Sequence, residues 1–65
     1  MLFAQFRVSA MSDLKAELTR LLLGKIPAKV EINAPEYGDE IVYGGQAIRI
    51  AQNDTLKEGI VRVYV

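Results

Sequence analysis

From Leu2 to Val8 apolar and polar positions alternate, with Leu2, Ala4, Phe6 and Val8 on one face and Phe3, Gln5 and Arg7 on the other. A period of two sends successive side chains to opposite faces of a strand, so this stretch reads as a half-buried strand whose core face is the Leu2 side. The period then changes. Over Ser12–Gly24, SDLKAELTRLLLG, the residues Leu14, Leu18, Leu21 and Leu22 fall within one arc of about 100°, the stripe that a helix buries against a sheet. Ser12 stands where an N-cap belongs and Asp13 suits the positive end of the helix dipole. Gly24 fits the left-handed position after the last turn, Lys25 complements the free carbonyls, and Pro27 forbids continuation. One leucine does not fit the stripe. Leu23 points roughly opposite Leu14, beside Ala16, Thr19 and Arg20, and reads either as an ordinary exposed apolar residue or as a contact with a second chain.

Beyond the helix the period of two returns. Ala28, Val30 and Ile32 alternate with Lys29, Glu31 and Asn33, a second strand expected to run parallel to the first through a right-handed crossover. Asn33–Asp39, with Pro35 and Gly38, is a polar turn. Ile41–Tyr43 and Ala47–Ala51 flank Gly44-Gly45, which suits a type I′ hairpin, and place Ile48 and Ile50 on one face of the second arm. In Gln52–Gly59, Asn53 or Asp54 is expected to cap a single helical turn held down by Leu56. The last run, IVRVYV, sets Val61, Val63 and Val65 against Ile60, Arg62 and Tyr64 and is strongly β in composition.

The fold class expected is α+β: one helix packed on a four- to five-stranded mixed, twisted or partly curled sheet, in the order β-α-β-β-β-β, in a single domain over residues 1–65. The dimensions pose a problem. A helix of about eleven residues is about 16 Å long and 10 Å wide, whereas five strands at about 4.8 Å spacing make a sheet more than about 20 Å wide. One helix does not cover that sheet, so it curls towards a barrel, a second chain covers part of it, or an edge strand pairs with another protein.

Composition sharpens the same question. At 65 residues the chain buries a small core, and with neither Cys nor His it has no disulfide or zinc site to reinforce it, which leaves self-association as the remaining route. The 51% apolar and 25% charged residues are those of a globular domain. No apolar run approaches a membrane span and the first residues lack the pattern of a secretory leader, so a cytoplasmic location with no membrane partner is expected. The net charge is zero but unevenly spread, +3 over residues 1–30 and −3 over residues 31–65.

Candidate chemistry is sparse. Glu36, Asp39 and Glu40 cluster in one turn, but their spacing is not that of a calcium loop, and they read as solvated turn residues. Gly44-Gly45 is followed by neither a helix start nor a Lys, as phosphate binding would require. Ser9, Ser12, Thr19 and Thr55 have no His or Cys to activate them. The chain is therefore expected to be non-enzymatic, with no cofactor and no metal. The sharpest constellation is the face of the sheet turned away from the helix, to which Phe3, Arg7, Arg49, Ile60, Arg62 and Tyr64 are assigned. Aromatic residues among arginines are enriched at the centres of protein interfaces. The function expected is a small protein–protein interaction or regulatory module of inhibitor or adaptor type, self-associating as a dimer or binding another protein. Single-stranded nucleic-acid binding through the same face is the alternative, since open sheets stack bases on such aromatics.

Overall fold

The computed structural model describes all residues, Met1–Val65, and follows the expected order with one helix: β1 (Leu2–Arg7), α1 (Met11–Leu22), β2 (Lys29–Ile32), β3 (Glu40–Tyr43), β4 (Gln46–Arg49), β5 (Ala51–Gln52) and β6 (Ile60–Tyr64), with a short 3₁₀ turn at Pro35–Tyr37. The strands form two sheets rather than one. A four-stranded sheet has the order β1-β6-β2-β5, and β3 and β4 make a separate ribbon. β6 is antiparallel to both β1 and β2, and β2 is parallel to β5. β1 and β2 therefore do run in the same direction, but with β6 inserted between them.

The ribbon solves the coverage problem. Gly44 and Gly45 both take positive φ, 58° and 79°, and close the hairpin in the manner its sequence predicts, pairing Ile41 with Ile48 and Tyr43 with Gln46. The arm expected at Ala47–Ala51 is broken at Ile50, where the chain leaves the ribbon and joins the sheet as β5. The ribbon thus folds over the helix side of the sheet, and Ile41, Tyr43 and Ile48 enter a single core of thirteen buried residues with Leu14, Leu18, Leu22, Val30, Ile32, Val61 and Val63. The core is enclosed by the sheet, the helix and the ribbon. Tyr43 joins two of these walls, its hydroxyl accepting the Gly24 N–H at 3.0 Å.

The start of α1 departs from expectation by two residues and its end by one. The helix begins at Met11 with Ala10 as its N-cap, and Ser12 lies inside the first turn without capping it. At 100° per residue Met11 lies on the Leu14/Leu18/Leu22 arc, and starting there packs its side chain against the core. That burial outweighs a cap worth about 1 kcal/mol. At the other end Leu23, not Gly24 alone, adopts the left-handed conformation, at φ 52° and ψ 40°, with its N–H bonded to Thr19 O. The single turn expected after Gln52 is present as an isolated hydrogen-bonded turn, with the Leu56 N–H donating to Asn53 O at 3.2 Å, and is too short to form a helix. Asn53 caps it, its Oδ1 accepting from the Thr55 N–H at 3.0 Å and the Thr55 hydroxyl at 2.6 Å, and Leu56 is buried as anticipated.

Gly59 sets the start of the central strand. Its N–H donates to Asn33 O at 2.9 Å and its carbonyl accepts the Val8 N–H at 2.8 Å, joining the ends of β1 and β2. At φ 80°, a Cβ on this residue would stand 2.9 Å from Val8 O, whereas one on Gly24, at φ 88°, would meet nothing within 4 Å. Gly59→Ala is therefore expected to cost at least about 2 kcal/mol, from backbone strain plus the clash, and Gly24→Ala about 1 kcal/mol, from strain alone. Urea unfolding of the two variants measures the difference, and equal losses would contradict this account of Gly59.

Candidate interaction surface

The solvent face of the four-stranded sheet is built from rows of paired residues. Glu31, Arg62 and Gln5 form one row across β2, β6 and β1, and Lys29, Tyr64 and Leu2 form the next. These side chains satisfy one another. Tyr64 donates its hydroxyl to Glu31 at 2.8 Å, Asn53 donates to the other carboxylate oxygen at 3.3 Å, and Lys29 Nζ stands 3.2 Å from that oxygen and 5.3 Å from the Tyr64 ring centre. Arg62 donates to Gln5 at 2.9 Å, and Arg7 to Glu58 O at 3.1 Å.

Of the six residues assigned to this face from the sequence, Arg7, Ile60, Arg62 and Tyr64 lie on it and two do not. Arg49 is on the ribbon, opposite Glu40. Phe3 is displaced by a β-bulge: Ala4 pairs with Val63 and Leu2 with Tyr64, leaving Phe3 as the extra residue and putting Leu2 where Phe3 was expected. Phe3 turns to the helix side. The aromatic–arginine constellation is therefore not assembled, and the tyrosine within it is committed to Glu31. The acidic residues Glu36, Asp39 and Glu40 are exposed, as expected of turn residues. Glu36 and the half-buried Tyr37 line a shallow polar concavity with Arg7, Ser9 and Glu58, in which partial burial, then Glu36 and Asp13, push the Tyr37 phenol up.

The apolar surface lies elsewhere. Phe3, displaced by the bulge, lines a groove of about 440 Å³ with Leu21, Leu22, Leu23, Ile26, Ala28 and Val65, and Lys25 is its one charged residue. Phe3, Ile26 and Val65 are each about half exposed, and Leu23 is 82% exposed. The groove lies beside β1, which is an edge strand of six residues without Pro. The misfit of Leu23 with the helical stripe was the sequence signal for this surface. Its left-handed backbone takes it out of the helix and sets it beside Phe3 and Ile26 rather than Ala16. Ile26, an apolar residue between Lys25 and Pro27 that belongs to neither the helical stripe nor the strand alternation, is the second such signal.

Comparison of the chain with protein-family models, with curated proteins and with solved structures finds no match.

The Tyr64 hydroxyl, aided by Lys29 and Asn53 and opposed by partial burial, holds the Glu31 carboxyl below the usual glutamate range. A folded-state value below the unfolded one, about 4.3, means that this contribution to stability is complete above that pH and is lost as pH falls through the folded value. Glu31→Gln is expected to lower stability at neutral pH and to flatten its decline in acid, read by urea unfolding at a series of pH values. An unchanged acid slope would show that the network does not act through this carboxylate.

Proposed function

We propose that this chain is a small non-catalytic protein–protein interaction module, of inhibitor or adaptor type, that acts in the cytoplasm and self-associates through β1 and the groove beside it. The reading is carried by Leu23. This leucine stands in a left-handed conformation, which disfavours a side chain with a Cβ by about 1 kcal/mol, and it is 82% exposed. Glycine would relieve the strain and a polar residue the exposure. An apolar side chain held against both preferences, beside the half-exposed Phe3 and Ile26 and an open strand edge, fits a surface that is covered when a partner binds. The cytoplasmic assignment goes with a chain that has no cysteine to place in disulfides.

Nucleic-acid binding draws less support. It needs Phe3, Arg7, Arg49, Arg62 and Tyr64 on one face, and the bulge and the ribbon take Phe3 and Arg49 away from it. Glu31 sits at the centre of what is left.

Light scattering over a range of protein concentrations tests the proposal, with Leu23→Gly as the variant. The unsubstituted chain is expected to reach the mass of two copies. Leu23→Gly should raise monomer stability by about 1 kcal/mol through relief of strain. It should also weaken association at least about tenfold, since burying one leucine contributes about 1.5–3 kcal/mol. A chain that stays monomeric, or a variant that associates as well as the original, would overturn the reading.

A further inference from the structure

We infer that the partner is a second copy seated antiparallel, its β1 paired with β1 across a two-fold axis to join two four-stranded sheets into one of eight strands. This rests on the self-association reading and adds orientation and contacts to it. A two-fold axis makes a strand meet itself antiparallel, and β1, at six residues, is the longest edge strand, against four each for β3 and β4. The other edge, β5, has two residues, and the Gly38–Asp39 segment is bonded to it, Gly38 O accepting from the Gln52 side-chain amide and Asp39 O from the Ile50 N–H, both at 2.7 Å.

The charges on α1 select the same orientation. Leu21 lines the groove with Phe3 and Val65, so its flank of the helix is the one turned towards β1. At 100° per residue, Glu17 follows Leu21 on that flank and Asp13 and Arg20 lie beyond it, while Lys15 and Thr19 are on the opposite flank. From the start of the helix onward the flank carries Asp13 and Glu17, then Arg20, then Lys25 just past its end. A two-fold axis sets the second helix antiparallel, which brings the acidic half of each copy to the basic half of the other. A copy stacked in the same direction would oppose like charges. Glu17 and Arg20 already pair within the chain at 2.6 Å, but Asp13 and Lys25 have no ion-pair partner and are available across the axis. β1, at six residues, and α1, at twelve, are each about 20 Å long, so the ends of the two copies coincide. The Ser9–Met11 turn of the second copy then covers Phe3, Leu23 and Ile26.

Because the chain has no cysteine, a single introduced thiol reports on this geometry without background. Gln5→Cys, in the middle of β1, is expected to cross-link two copies through a disulfide or a short bis-maleimide, and Arg49→Cys, on the ribbon, is not. Glu17→Lys is expected to weaken association about tenfold, and the double variant Glu17→Lys/Arg20→Glu to recover it, because the swap restores opposite charges across the axis. A dimer by light scattering that neither cross-links at Gln5→Cys nor is rescued by the double variant would overturn the antiparallel arrangement and leave the self-association reading standing. A monomer at every concentration would overturn both, and would turn the edge over to an extended segment of a different protein.

Discussion

The fold depends on the insertion of β6 between β1 and β2. Val61 and Val63 are fully buried, and β6 bonds to a neighbour on each side along its length. Gly59 fixes where it begins by joining the ends of the two strands it separates. Neither neighbour pairs with the other, so β1 does not join the β2–β5 pair until residues 60–64 come between them. β1 pairs with residues more than fifty positions away, and such contacts bear the full loop-closure entropy before they contribute stability. The helix and the hairpin, by contrast, are local and are held by their own turns. They complete a core whose frame is set by the last strand.

This division explains what was legible in the sequence. The helical stripe, the glycine pair of the hairpin, the alternation of Val61 and Val63 with Arg62 and Tyr64, and the α+β order are all local signals, and each matches the structure. The features that differ from the sequence expectation depend on a distant partner. The bulge at Phe3 is a property of the β1–β6 register, which nothing in residues 2–8 specifies, and a slip of one residue moves a side chain to the other face. The break at Ile50 reflects the competition between continuing the ribbon and joining β2. Ser12 has the chemistry of a cap, but burial of Met11 sets the helix start instead. The site suffered most from this, because an expected face of six residues mixed three different environments.

The two edges of the sheet are treated differently. At β5 the strand is short and the Gln52 amide continues it, occupying the N–H and C=O of Ala34 and reaching Gly38 O at 2.7 Å. At β1 the protection is partial: there is no proline, Arg7 is the one charge, and the bulge sends an aromatic side chain towards an apolar groove. Leu23 adds a conformational cost at the same place. With the core already closed by the ribbon, covering the sheet face no longer requires another chain. The edge and its groove are what a partner would complete.

Amide hydrogen exchange along β1, followed as protein concentration is raised, tests that claim most directly. N–H groups of β1 that point away from β6 lie on an open edge in the monomer and exchange by local fraying. The account predicts that they gain protection with concentration, in step with the rise in molar mass, while the amides of β3 and β4 keep their rates. Exchange in β1 that is the same at every concentration would contradict it.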